Sequence, residues 1–365
     1  MENEKFLTEQ LITYIGNKRS LLNFIGNAVE DIKLELGLEK LTFFDGFAGS
    51  GVVSRFFKQH ASKIYSNDLE GYSYLVTKSY LTNQSEINFA ELKECLEYIN
   101  NNRFTDTFGV GIIEKLYAPK ITSSPAEGER CFYTNENAKI IDNVRRLIDT
   151  LNPVCRDLFL ANLIHKASVH TNTSGVFKGF YKSKTTGIGK FGGEAGNALL
   201  RIMSDITLEF PVLSNYECDY EVFQDDVMNV VSGLPRVNVV YYDPPYNQHP
   251  YSSNYHILNT IMEYKEPKQV SQVAGIRQDW NKSDYNYKAK AAESLDKLIE
   301  NTNADFVLLS YNNEGIIPEE DIIQILEKHG ELEVRKQEYN AFRGSRNLDK
   351  RSNKVQEYLY VLKKS

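Results

Sequence analysis

Residues 41–68 restrict the fold of this chain more than any other stretch. A short apolar run, Leu41 to Phe44, breaks into Asp45-Gly46-Phe47-Ala48-Gly49-Ser50-Gly51. A helical pattern through Val52, Val53, Phe56 and Phe57 follows, and a second short strand, Lys63 to Ser66, ends at Asn67-Asp68. Strand, glycine turn, helix, strand and acid within about thirty residues is the opening βαβ unit of a doubly wound sheet. The glycines let backbone approach a ligand just past a strand, with the N-terminus of the next helix behind it. Asp68, 17 residues beyond Gly51, stands where an acid accepts hydrogen bonds from a ribose. Taken alone, the pattern points to a nucleoside cofactor. NAD is the default, because Gly49-x-Gly51-x-x-Ser54 is one step from the dinucleotide fingerprint; a tight turn beside a solvated acid is the plainer alternative.

Upstream, Ser20 is placed to cap a helix whose apolar positions Leu22, Ile25, Val29, Ile32 and Leu36 step by three and four and end at Gly37. The centre reads differently. Helical spacing runs from Ile140 to Leu151, Asn152-Pro153 breaks it, and another apolar helix spans about residues 154–169. From His165 to Gly193 there are five lysines, two histidines, six glycines and no acid. Strand character returns at Val237 to Tyr242 and at Phe306 to Ser310. Pro318 then opens a helix that stops at Gly330, and Glu357 to Lys363 forms a closing strand. The chain therefore reads as an α/β domain in two parts, 1–85 and 215–365, with a mainly helical insertion at 86–214.

With 365 residues, 41% of them apolar, the chain can bury a sizeable core, and its net charge of −7 does not advertise a polyanionic partner. A local basic face suffices for nucleic acid, however. The four cysteines, Cys95, Cys131, Cys155 and Cys218, have neither zinc-site nor disulfide-framework spacing, so no metal is expected. The opening Met1 to Lys5 lacks a signal-peptide pattern, and no apolar run approaches a membrane span. A reduced, cytoplasmic protein with no membrane partner is the expectation.

The strand Val239 to Tyr242 ends in Asp243-Pro244-Pro245-Tyr246. Two prolines remove two N–H donors and fix the chain just past a strand, where open α/β sheets bind ligands. An acid, an exposed carbonyl and an aromatic ring in four residues suit an exocyclic amine on a planar base. Asp243 and the Pro244 carbonyl can each accept a hydrogen from the amine, and Tyr246 can stack on the ring. A proline-terminated strand with a surface tyrosine is the bland alternative. Tyr14-Ile15-Gly16-Asn17-Lys18-Arg19 is a second ligand-like patch, though not a P-loop.

In the order Tyr14-x-Gly16-x-Lys18, Phe44-x-x-Phe47-x-Gly49-x-Gly51, Asn67-Asp68 and Asp243-Pro-Pro-Tyr246, the chain resembles Dam-like, alpha-group N6-adenine DNA methyltransferases. Tyr251, Tyr255-His256 and Ser310 to Gly315 continue the likeness, which is weakest between about residues 80 and 125; Tyr14 replaces the tryptophan of Dam itself. The resemblance implies a Rossmann-like methyltransferase fold, with the target-recognition domain inserted between the glycine motif and the tetrapeptide, and S-adenosylmethionine as cofactor. It implies that Lys18 and Tyr14 border the methionine end and that the turn carrying Asp45, Phe47, Gly49 and Gly51 lies against the cofactor. Asp68 would hold the ribose and Asp226 face the adenine, with Asp225 the neighbouring choice. Asp243, Pro244 and Tyr246 would act on an adenine flipped out of duplex DNA. Asn172 and Lys178 would read base edges. Lys182, Lys184 and Tyr255 would contact DNA, as would Arg343, Arg346 and Arg351 in a basic run from Arg335 to Lys354 with a local charge of +5.

A dehydrogenase leaves the tetrapeptide and the basic insertion unexplained. Cytosine-N4 and RNA-adenine methyltransferases share the strand-end logic and stand as alternatives; cytosine-N4 enzymes more often carry Ser, and protein-amide enzymes Asn, where this chain has Asp243. A monomer is expected, and a cognate restriction endonuclease would have to be encoded elsewhere.

Overall fold

The computed structural model of the chain describes residues 1–193, 196–340 and 354–365. Among them, seven strands form one sheet: β1 (Leu41–Asp45), β2 (Ala61–Asn67), β3 (Asp219–Phe223), β4 (Val237–Tyr242), β5 (Ala304–Asn312), β6 (Gly330–Asn340) and β7 (Lys354–Lys364). Their order is β3-β2-β1-β4-β5-β7-β6. The first five run parallel, and β7 inserts antiparallel between β5 and β6. The order reverses between β1 and β4, and ligand crevices of open sheets lie beyond the strand ends at such a point.

Alternation along the strands fills two faces. Phe44, Val240, Tyr242, Val307 and Leu309 point to one side, where the helices Ala291–Asn301 and Glu319–Glu327 pack. Phe43, Val239, Tyr241, Leu308 and Leu359 point to the other, against the helices Leu22–Leu36 and Val52–Phe57. Burial on both faces is why these strands read as continuous apolar runs. The edge strands β3 and β6 carry far less apolar sequence. Neither stood out in the chain, and β6 starts at Gly330, which had read only as a helix stop.

Ser20 does not cap a helix. It lies inside a short 3-10 turn, Arg19–Leu21, that runs directly into Leu22–Leu36 without a side-chain cap, and Gly37 ends that helix in the left-handed region. Less than half of residues 86–214 is helical, chiefly Phe89–Asn102, Asn135–Ile148 and Pro153–Val169, so the region expected to be mainly helical carries more turn and loop than helix. Their apolar faces share one core with Tyr72, Leu75 and Val76 of the helix Gly71–Leu81 and with Ile257 and Ile261 of the helix His256–Glu263.

Candidate active site

The register of β1 and β4, with Asp45 opposite Tyr241, releases the glycine turn and the tetrapeptide side by side at the reversal point. Between them lies a cleft enclosing about 880 Å³, lined among others by Tyr14, Lys18, Phe47, Asp68, Asp226 and Asp243. Six expected residues spread from Tyr14 to Asp243 thus share one cavity, because the N-terminal segment meets the ends of four neighbouring strands there.

The acid after β2 shapes the glycine turn. Asp68 accepts the Gly49 N–H on Oδ2 at 2.7 Å and the Glu70 N–H on Oδ1 at 2.8 Å. Burial raises its pKa, although both backbone bonds oppose the rise. Gly49 has φ +53°, and a Cβ there would lie 3.1 Å from the Tyr14 ring, so the close approach of turn and ring requires glycine. Asn67 holds the neighbouring loop, accepting the Asp225 N–H at 3.2 Å and donating to the Asp225 carbonyl at 3.1 Å. Asp226 caps the short helix Val227–Val231, accepting the Met228 N–H at 2.9 Å, and both Asp225 and Asp226 face the cleft.

Asp243 ends β4 beside a buried ammonium. Lys18 Nζ stands 3.0 Å from Asp243 Oδ1 and 3.0 Å from Glu357 Oε1, with the lysine and Glu357 side chains almost wholly enclosed. Burial opposes the charge on Lys18, but Asp243 and Glu357 outweigh it and hold the lysine well above its usual range. Burial also pushes the Asp243 carboxyl up to about 6; Lys18 counters the rise and Glu357 adds to it.

Tyr14, Tyr241, Tyr251 and Tyr285 line the cleft, whereas the expected Tyr246 does not and packs beside it. The Tyr14 ring lies nearly parallel to those of Tyr255, at 4.7 Å, and Tyr251, at 5.0 Å, whose own centres are 6.3 Å apart. Tyr246 meets Tyr311 edge-on at 6.2 Å, and Lys18 Nζ lies 5.6 Å from its ring centre. Gly16, at φ +75°, lets the Tyr246 and Tyr251 hydroxyls close in: a Cβ there would come within 2.8 and 3.2 Å of them.

Several expected residues stand elsewhere. Asp45 is fully buried behind the turn and accepts a hydrogen bond from Ser54 Oγ at 2.7 Å; burial lifts its carboxyl to about 7 despite that bond. Gly51 also lies behind the cleft wall, where a Cβ would meet Thr77 and Tyr80, so it serves helix packing rather than the cavity. The tetrapeptide presents Pro245 to the cleft, while Pro244 is buried. Tyr255 does not face DNA. It is buried, and its hydroxyl accepts the Ile15 N–H at 2.7 Å, tying the N-terminal segment to the aromatic stack. Asn172 cannot read a base edge from its position, because it is buried and its amide donates to the carbonyls of Cys131, at 2.8 Å, and Lys190, at 2.9 Å. Phe177 and Phe180, between the lysines of the basic stretch, are core residues. Lys178 is half-buried, whereas Lys182 and Lys184 are exposed. Their loop is pinned behind the tetrapeptide, since Phe177 N–H donates to the Asn254 carbonyl at 2.7 Å and the Phe177 carbonyl meets His256 Nε2 at 2.9 Å. Arg335 pairs with Asp31 and Glu333, and Lys336 with Glu319, so this part of the basic run is neutralised on the protein's own surface. Arg343, Arg346 and Arg351 lie outside the described residues.

Glu357 and the segment 281–286 went unseen as site residues in the sequence, and Ser310 was noted only as part of a family-like stretch. The segment contributes Asn281, Ser283, Tyr285 and Asn286 to the cleft, and Tyr285 meets the Phe47 ring edge-on at 5.2 Å. Nothing in its polar sequence signals that role. Glu357 did leave a signal: Val355, Leu359 and Val361 alternate with it on one buried face of β7, and an acid in such a row calls for a partner.

A family model described as D12 class N6 adenine-specific DNA methyltransferase matches residues 14–325. The Type II methyltransferase M.NlaIII of Neisseria lactamica is 29% identical over 97% of this chain and 100% of its own length. Modification methylase StsI of Streptococcus sanguinis is 30% identical over 96% of this chain and 52% of its own length. The Type II methyltransferase M.CviAII of Paramecium bursaria Chlorella virus 1 is 26% identical over 96% of this chain and 98% of its own.

Proposed function

The chain belongs to the D12 class of N6 adenine-specific DNA methyltransferases, and on that premise we propose that its cleft binds S-adenosylmethionine and presents Asp243 to the amine of an adenine flipped out of duplex DNA. The observation that carries this reading is the carboxylate of Asp243, held at the end of β4 by Lys18 at 3.0 Å and opening on the cleft.

The cleft suits that cofactor. Asp68 offers its carboxylate to vicinal hydroxyls, and Asp226 or Asp225 to an amine. Phe47, Val227 and Tyr285 offer apolar surface to a flat ring. The glycine turn, left-handed at Gly49 and pressed against Tyr14 so that a Cβ there would crowd the ring at 3.1 Å, leaves a backbone cradle. When bound, the cofactor supplies a methyl group carried on a sulfonium.

The remaining work falls to the protein. The N6 lone pair of adenine is delocalised into the ring and is a poor nucleophile. Hydrogen bonds from the amine to Asp243 and to the Pro244 carbonyl draw the nitrogen toward tetrahedral geometry and turn its lone pair into the cleft. Tyr246 supports the extruded base, whose removal from the stack costs a few kcal/mol. Positioning and fixed dipoles supply most of the acceleration. The loop bearing Lys178, Lys182 and Lys184 is tied to the residues just behind the tetrapeptide, which supports its contact with phosphates beside the target base. The names of the relatives support a role in modifying DNA within a restriction–modification pair; a monomer, with its endonuclease encoded elsewhere, is our expectation.

The test is transfer of labelled methyl from S-adenosylmethionine to unmethylated duplex DNA, followed by nucleoside analysis. N6-methyladenine is the expected product, and Asp243→Ala is expected to abolish incorporation while calorimetric cofactor binding persists. Full activity in that variant would defeat the mechanism, and N4-methylcytosine as product would reassign the base pocket.

A further inference from the structure

One ammonium stands between two carboxylates at the edge of the cleft, Glu357 buried and Asp243 opening on the cavity. Lys18, from the N-terminal segment, reaches across the ends of β4 and β7 to Asp243 and Glu357, 3.0 Å from each. Glu357 is fixed in turn from β5, because Ser310 Oγ donates to its Oε1 at 2.6 Å, the same oxygen that faces the lysine. Ser310, Glu357 and Lys18 are each at most 2% exposed. Asp243 Oδ1 is enclosed against the lysine, so the 17% exposure that this side chain keeps belongs to its other atoms, toward the cleft. Glu357 also lies beyond the residues 14–325 that the family model matches.

We propose that Glu357 is a positioning residue: it fixes Lys18 Nζ against Asp243 Oδ1, so that the second oxygen of Asp243 is left to accept the amine hydrogen of the target base. This inference rests on the reading of Asp243 as that acceptor. Without the acid on β7, Lys18 settles wholly on Asp243, which becomes more firmly ionised and a weaker acceptor. With the acid present, the ammonium is shared, and Asp243 keeps both its orientation and its basicity.

The charged groups facing Asp243 are Lys18, Glu357 and, from β1, Asp45. Tyr241, Tyr246, Tyr251 and, on β6, Tyr339 surround it and have raised pKa values from burial, so they stay neutral while Asp243 titrates. A protonated Asp243 cannot accept the amine hydrogen, so transfer is lost as pH falls through about 6.

Single-turnover methyl transfer to duplex DNA, measured against pH for the full-length enzyme and two variants, tests the assignment. Glu357→Gln removes a like charge, so the acid limb is expected to move down by about one pH unit. Its plateau rate is expected to fall about tenfold as the lysine is repositioned, with cofactor binding and melting temperature little changed. Ser310→Ala frees Glu357 to draw Lys18 away, so its acid limb is expected to move up. Opposite displacements support the role, and a merely structural glutamate would produce neither. Profiles that overlay the unaltered enzyme, or shift in the same direction, overturn it. Should Glu357→Gln fail to fold, the direction of the Ser310→Ala shift decides alone. Absence of adenine methylation by the unaltered enzyme would overturn the reading of the site and this inference together, whereas transfer with overlaid profiles overturns the inference only.

Discussion

Gly16 shows how much of the site depends on a missing side chain. Its φ of +75° lies where an L residue costs about 1–2 kcal/mol. Alanine there would also press on the Tyr246 and Tyr251 hydroxyls. Gly16→Ala is therefore expected to lower the single-turnover rate by about a hundredfold through a displacement of about 1 Å at the base pocket. The loss of thermal stability should be no more than the backbone strain. A rate within a factor of two of the unaltered enzyme would mean that Tyr246 does not set the pocket. Individual residues were legible where chemistry and local geometry coincide: Asp68 at the end of a strand, Lys18 in a glycine-flanked patch, Asp243 before two prolines. They were illegible where the role is set by what packs on top. Nothing local says that Tyr255 and Asn172 are covered, and both spend their polar atoms inside the protein.

Elements were readable in proportion to the apolar surface they bury. β1, β4 and β5 are covered on both faces and stood out as apolar runs, whereas the edge strands β3 and β6 did not. The glycine-rich basic loop was seen as a composition, but its anchoring through Phe177 to Asn254 and His256 was not, since those bonds run through backbone atoms. That anchoring leaves Lys182 exposed and Lys178 half-buried near His249, three residues past Tyr246. Each phosphate contact released by substitution should lower the slope of log affinity against log salt by about 0.9. The double variant Lys178→Ala, Lys182→Ala is accordingly expected to weaken DNA binding and flatten its salt dependence by one to two such increments, with cofactor affinity retained; fluorescence titration over a salt series measures both. A change confined to cofactor affinity would detach this loop from the DNA.

At the scale of the whole molecule, the helices between residues 86 and 214 share one core with helices on either side of them in the chain. Tyr72, Leu75, Val76, Tyr255, Ile257 and Ile261 are buried together with the insertion's helices. Six such side chains at roughly 1.5–3 kcal/mol each rival the net stability of about 5–15 kcal/mol typical of a folded protein. A chain joined directly from residue 85 to 215 is therefore expected to lose cooperative unfolding, as seen by calorimetry and near-ultraviolet dichroism. A sharp native-like transition in that variant would show that the two parts fold apart. No helix among the described residues is long and apolar enough to cross a membrane. β7 slots between β5 and β6, and it delivers Glu357 to a lysine near the other end of the sequence. Synthesis runs in one direction, so a growing polypeptide carries Lys18 and Asp243 long before their common partner emerges from the ribosome. β7 follows both β5 and β6 in the chain yet lies between them in the sheet, so the Lys18–Glu357 contact closes only after that strand has entered a gap between two strands made before it.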